Sequence, residues 1–422
     1  MRFSRRAFIH RGTAGLVATQ LPLLFSRTAR AGVGFGPLKA DPNGILDLPE
    51  GFSYVVLETA GDTMSDGYAM GGSPDGMACF WNADRSQYLL MRNHEVDVGA
   101  SVDVDLAYNP NRCGGVSRLV IDPQSLERVS SNWVLTGTSR NCAGGPSPWG
   151  WLSCEETEES GHGYVFLCDP YAEQVQAPQR AASLGRFKHE AAAVEPDSNI
   201  IYLTEDKGQG ALYRHVPWDA AKPFDGRLQA MRVVGQQNFD TSSDLSVGAS
   251  FEVEWINLSD PTAKESPTAI QALDAGAAIV NRGEGIWYGE GSFFFAATEG
   301  GPVAGGQIFR LDPAPEGGTL TLVAQEEGDG HFFNPDNVTV APWGDLVIAE
   351  DNTGPNHLQG MTPEGDVYEI ARNAYESGVS EFCGVCFSPD GRVLFVNMQE
   401  PGFTLAITGP FPQRGGSDSS GC

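Results

Sequence analysis

Apolar runs of four to seven residues, separated by clusters of Gly, Pro, Asn and Asp, follow one another through most of the chain. Few stretches space their apolar residues as a helix does, so the pattern predicts strands and tight turns. The stretch 189–206, HEAAAVEPDSNIIYLTED, has the clearest form. It reads as acid, apolar strand, short turn, apolar strand, acid. An antiparallel hairpin brings its second strand back to the level where the first began, which places Glu190 at the same end as Glu205 and Asp206. The device recurs between Glu284 and Glu299, between Asp336 and Glu350-Asp351, and between Glu381 and Glu400, with Asn397 level with the other terminal acids. A looser copy runs from Asp75 to Glu95, and another runs from Cys142 to Glu155-Glu156, with a thiol in place of the first carboxylate.

After most of these hairpins comes a Gly and one more short apolar strand, as in GYVFLCD from Gly163 and GQIFRLD from Gly306. The terminal acids Glu95, Glu156, Glu205, Glu299, Glu350 and Glu400 are separated by 61, 49, 94, 51 and 50 residues. A period near fifty with four short strands is the signature of propeller blades. The expected fold is therefore all-β, a six-bladed β-propeller forming a single domain over residues 32–408. A polar insertion at roughly 219–275, between the third and fourth acid-ended hairpins, is expected to cap one face. First strands line the channel of a propeller, so the acids at the hairpin ends should converge on one rim. So many carboxylates close together cannot all ionise unaided, and bound cations are the simplest resolution. His94 and His189 each precede such an acid, and alternation along a strand turns them to the opposite face; Asn93 shares the face of Glu95.

Composition adds the chain ends and the charge. Residues 1–31 contain Ser4-Arg5-Arg6-Ala7-Phe8-Ile9, a modest apolar stretch at 16–25 and Ala29-Arg30-Ala31. This is the layout of a twin-arginine signal peptide with an A-x-A cleavage site, so the export machinery is an expected partner and the mature protein is expected to be periplasmic or secreted. Residues 409–422 read as a flexible tail. No apolar run is long enough to span a membrane. Beyond residue 31 there are 21 basic and 54 acidic side chains, a formal charge of −33, which disfavours nucleic acid as a partner. Part of the acid surplus is suited to hard cations such as calcium. Cys383-Gly-Val-Cys386 is a CxxC without a second pair, too little for a zinc site. There is no GxSxG and no phosphate-binding P-loop.

The segments GTSRNCAGGPSPWGWLSCEE, GRFKHEAA, YLTED, RGEGIWY, NPDN followed by AED, and CFSPDGRVLFVN resemble the PhoX-type alkaline phosphatases. That resemblance runs through most of the mature chain. It implies twin-arginine export, a six-bladed propeller, an iron and calcium cluster, and hydrolysis of small phosphorylated organic substrates, specifically phosphate monoesters. Carried over residue by residue, it makes Cys142 the thiolate ligand of iron and makes Glu95, Glu156, Glu190 and Glu284 carboxylate ligands. Asp336 and Asp351 become further calcium ligands, and Arg282 the basic group holding substrate phosphate. Asn93, placed by alternation on the face of Glu95, is expected to reach the cluster and its substrate. The chain departs from the family pattern at Cys383, where Thr is more usual, and at Glu299, where a small polar residue is. It also lacks inserted segments around the cleft. Two other readings stay open: a calcium-dependent hydrolase of another class, such as a lactonase, in which Cys142 would be idle, and a non-catalytic binding propeller.

Overall fold

The structure, a computed structural model, describes residues 33–412 except Asp329 and His331. The expected signal peptide and residues 413–422 of the expected tail lie outside the described residues. Among these residues the fold is almost entirely β, with one short helix at Thr268–Asp274 and a single 3-10 turn at Ala182–Leu184. Strands form where the pattern places branched and aromatic residues. Ile201–Glu205 and Ser292–Ala297 are examples, and both hairpin turns close through a residue in the left-handed region, Asn199 (φ 59°) and Glu290 (φ 54°).

Four small antiparallel sheets and one nearly closed nine-stranded sheet make a propeller-like ring. The strands Pro74–Trp81, Tyr88–His94, Gly114–Ile121 and Arg128–Thr138 form one meander, and Asn141–Ser147 opens the next. The nine-stranded sheet begins at His189–Val194 and ends at Gly283–Gly289. Pro335–Val340 opens the following sheet. The last sheet starts at Phe382–Phe387 and is completed by Ser53–Thr59 from the other end of the chain, which pairs with Phe403–Thr408 and closes the ring. A buried ion pair locks that closure. Arg92 donates to Glu58 at 2.8 Å and to Thr404 at 2.8 Å, and Arg92 and Glu58 are 0% and 1% exposed.

The polar stretch expected to cap a face supplies sheet instead. Gly226–Val233 is the fourth strand of its meander, and Ser250–Asn257 bridges it to Gly317–Gln325, joining two meanders into the nine-stranded sheet. The loops of this stretch reach the flank of the rim, where Arg186 N donates to Pro261 O and Asn281 donates to Ser242. Order also continues past Thr408. Phe411 is buried, with its ring against Phe35, Phe52, Trp343 and Phe387. No helix among the described residues is long and apolar enough to cross a membrane.

Aromatic residues fill the spaces between adjacent sheets. Tyr202, Phe293, Phe295 and Phe309 form one such layer, each contributing roughly 2–3 kcal/mol by burial. At the hub, the strands Pro74–Trp81, Asn141–Ser147, His189–Val194, Gly283–Gly289, Pro335–Val340 and Phe382–Phe387 pack each beside the next in a closed cycle. Small residues permit this approach. A Cβ on Gly76 would lie 2.6 Å from Ala143 Cα, and one on Gly285 would lie 2.8 Å from Asn337 Cα.

Candidate metal centre

Each hub strand carries a chemically distinctive residue just inside its start: Asp75, Cys142, Glu190, Glu284, Asp336 and Cys383. Immediately around each, the ladder with the second strand slips, between residues 74 and 77, 141 and 144, 189 and 192, 283 and 286, 335 and 338, and 383 and 386. Such a bulge releases a side chain from strict alternation and re-aims it. One backbone hydrogen bond then repeats around the rim. Glu95 N donates to Ser73 O, Glu156 to Arg140, Asp206 to Lys188, Thr298 to Arg282, Asp351 to Asn334 and Gln399 to Glu381, all at 2.8–3.3 Å. Ser73, Arg140, Arg282 and Asn334 adopt left-handed backbone (φ 40–50°) to make it.

These repeats superpose three tiers at one end of the channel, and the tiers bring the expected residues together. Donor atoms of Asp75, Glu95 and Cys142 lie within 4.8 Å of one another. The same holds for Glu190, Glu284 and Asp336, and for Asp75, Glu381 and Cys383. Glu156 pairs with Lys188 at 2.6 Å and with Arg140. Asp351 is the residue at the end of the fifth hairpin, where its charge acts on Asp336 and Glu381. Arg282 stands at the edge, half-buried, donating to Asp206 at 2.8 and 3.2 Å and to Glu284 at 3.1 Å.

The acid doublets divide. Glu156, Asp206 and Asp351 belong to the rim tier, while the residues before them turn outward and tie loops. Glu155 accepts from Ser139 N, His162 and Gly163 N, Glu205 from Tyr213 at 2.6 Å, and Glu350 from Phe333 N and His357 N. Thr298 occupies the rim position of its hairpin, and Glu299 is half-exposed beyond it. Both histidines pack away from the centre. His94 bonds Ser117 at 2.7 Å against Trp133, and His189 stacks on Phe187 at 3.5 Å. Burial pushes both pKa values down, that of His189 to about 3.

Asn93 requires a correction. Its amide donates to Cys142 O at 2.8 Å and Ala143 O at 2.7 Å, and its oxygen accepts from Trp151 and Ser153. Every polar atom is committed and the side chain is fully buried, so Asn93 holds the Cys142 strand in place and presents nothing to a substrate. Glu381 was expected at the rim as a hairpin-end acid but given no ligand role; residues absent from the expected site are Asp75, Cys383, Lys188, Arg140 and Gln399. Their common signal is position: second in a hub strand, two residues before that, or level with Glu95 on the returning strand. Asp75 starts the least regular copy of the hairpin, which hides it.

The electrostatics favour cations. Burial, then the charge of Glu156, pushes Asp75 up to about 7, even though Cys142 donates to it at 3.4 Å. Burial and Asp75 push Glu95 up to about 8 against the pull of Arg140. Burial followed by mutual repulsion holds Glu190, Glu284, Asp336 and Glu381 well above the carboxylate range, and holds the Cys142 and Cys383 thiols up likewise. For Asp206 burial acts upward, but the Arg282 hydrogen bond and charge outweigh it and the pKa falls. Asp75 Oδ1, Glu190 Oε1 and Asp336 Oδ2 are buried with no hydrogen-bond partner. An orphaned buried polar atom costs about 1–3 kcal/mol, more if charged, and a cation removes that cost. The donor set thus fits metal ions: oxygens alone at Glu190, Glu284 and Asp336, oxygens with sulfur at Cys142.

The profile of the family described as alkaline phosphatase PhoX matches residues 33–402. No curated protein sequence matches the chain significantly. Among solved structures, a gluconolactonase from Xanthomonas campestris is similar, with 11% identity and a TM-score of 0.46, covering 89% of this chain and 99% of its own. A calcium-binding regucalcin from Agrobacterium tumefaciens is similar at 11% identity and a TM-score of 0.42, covering 86% and 97%. Likeness at this level does not bear on activity.

Proposed function

The chain belongs to the alkaline phosphatase PhoX family, and on that premise we propose that its acidic rim hydrolyses small phosphate monoesters and releases inorganic phosphate. The single observation that carries the reading is the ring of buried carboxylates and thiols with orphaned oxygens at Asp75, Glu190 and Asp336, set against an edge of basic side chains. The family is metal-dependent, and the finer assignment we propose is iron beside Cys142, Asp75 and Glu95, with calcium at Glu190, Glu284, Asp336 and Asp351. Glu156 would serve as a ligand once released from Lys188. Bound there, the cations supply charge neutralisation for the phosphoryl oxygens.

The chain's own residues supply the rest. Arg282 has Nε and Nη2 occupied by Asp206 and Glu284, which fixes the plane of the guanidinium. Among the described residues its Nη1 is paired only with the half-exposed Glu299, at 3.6 Å, and so is the group available to a phosphate oxygen. Arg140 and Lys188 extend the same positive edge, which orients an anionic group over the acidic rim. The fold reading that goes with this is a six-bladed propeller, one blade for each repeat of the rim hydrogen bond, spanning 32–408 as one domain. Residues 1–31 would direct twin-arginine export to the periplasm or beyond, leaving a mature N-terminus at Gly32.

The test is p-nitrophenyl phosphate hydrolysis with and without added Ca²⁺, alongside elemental analysis of the mature protein from its export route. Iron and calcium with Ca²⁺-dependent phosphate release is the expected result, and Cys142→Ala should remove both iron and turnover. Calcium without iron, and no phosphate release, would overturn the reading in favour of a calcium-dependent hydrolase such as a lactonase or a binding propeller. N-terminal sequencing of the exported form checks the cleavage site.

A further inference from the structure

We propose that Cys383 is a second thiolate ligand, so that Asp75 stands between two cation sites that each contain one sulfur donor. The inference rests on the metal-centre reading above and adds a ligand to it. Cys142 and Cys383 occupy the same place in their hub strands and flank the strand of Asp75 on its two sides. Asp75 shares one donor group with Glu95 and Cys142, and a second with Glu381 and Cys383. Asp75, the residue the two groups share, is 2% exposed, and its Oδ1 is buried with no hydrogen-bond partner.

The other buried cysteines behave differently. Cys154, Cys168 and Cys386 each sit inside an apolar cluster, as structural thiols do. Cys142 and Cys383 belong to none of these clusters; carboxylates surround both. Cys383 donates to Pro74 O at 3.2 Å, which holds its sulfur against the Asp75 strand. The ring therefore has a sulfur-containing side, Cys142, Asp75 and Cys383, and an oxygen-only side, Glu190, Glu284 and Asp336. Thiolates select borderline or soft transition ions over Ca²⁺, so the pair of sites around Asp75 would take two such ions, with each thiol proton leaving to solvent as its sulfur–metal bond forms.

The experiment uses the mature protein, stripped by chelator and reloaded with Co²⁺ alone. Thiolate-to-cobalt charge-transfer absorption is then compared among wild type, Cys142→Ser, Cys383→Thr and the double variant. The expected result is a wild-type band about twice as intense as that of either single variant, and none in the double variant. X-ray absorption on the cobalt-loaded wild type, multiplied by the cobalt bound per chain, counts ligated sulfurs without any substitution, two expected and one if Cys142 alone binds, and keeps the test valid if a variant misfolds. A wild-type band that Cys142→Ser abolishes and Cys383→Thr leaves unchanged overturns the proposal while keeping the metal-centre reading. Absence of any thiolate band in wild type overturns both.

Discussion

The two halves of the rim solve the same electrostatic problem differently. On one side Arg140, Lys188 and Arg282, consecutive around the ring, pair with Glu95, Glu156, Asp206 and Glu284. On the other, Asp75, Asp336, Asp351 and Glu381 have no ion pair among the described residues. The first half carries its own counter-charges and is poised to orient an anion. The second is stable only with protons or with cations from solution. A protein that wanted only solubility would leave these acids on the surface, where ionisation costs little. Burying them unpaired makes sense where ions bind.

Removal of divalent cations should have the largest effect: turnover is lost, and the melting temperature falls by an amount equivalent to about 4 kcal/mol if cations are present at a thousandfold their dissociation constant. Differential scanning with EDTA, followed by Ca²⁺ add-back, checks this. A chelated protein that melts unchanged would mean that the unpaired half needs no ions. Next, Arg282→Ala should lower kcat/KM for p-nitrophenyl phosphate about 100-fold, with Arg282→Lys recovering part of it. A variant at full activity would move phosphate binding away from the positive edge.

Asn93→Ala tests the scaffold rather than the charges. It orphans Trp151 Nε1 and two hub carbonyls, so a loss of about 1–3 kcal/mol is expected in denaturant unfolding. Activity per folded molecule should fall less than for Arg282→Ala. The smallest effect concerns pH. Asp75 and Glu95 have folded-state values of about 7 and about 8, above those of free carboxyls. The folded protein therefore holds protons that the unfolded chain has released. Their contribution is full below about pH 4 and is lost as pH rises through the folded values toward about 8. Chelated protein should thus melt higher at pH 5 than at pH 8, and reloading with a transition ion such as Co²⁺ should flatten that slope because cations replace the protons on Asp75 and Glu95.

Much of this centre was legible in the chain. The repeated acid, strand, turn, strand, acid pattern placed Glu95, Cys142, Glu156, Glu190, Glu284, Asp336 and Asp351 at one end of their hairpins, because a hairpin's return is local geometry. Alternation likewise turned His94 and His189 aside. The failures are instructive. Asn93 shared the parity of Glu95 and was expected at the cluster, but its amide is taken up by the carbonyls of the neighbouring hub strand, a partner 49 residues away. The stretch 219–275 looked like a cap because its polar residues hide the strand Ser250–Asn257, a bridge that only two adjacent meanders can define.

What the sequence by itself determined is the strand content, the hairpin ends and the period, since two-residue alternation and turn chemistry act over a few residues. What only the tertiary structure decided is which hairpin ends become neighbours. The Ser53–Thr59 strand closes the ring, glycines let hub backbones nearly touch, and Asp75 comes to lie between Cys142 and Cys383. Those adjacencies come from packing between distant segments. A donor set is defined by distances of a few ångströms across that packing, which no local pattern encodes.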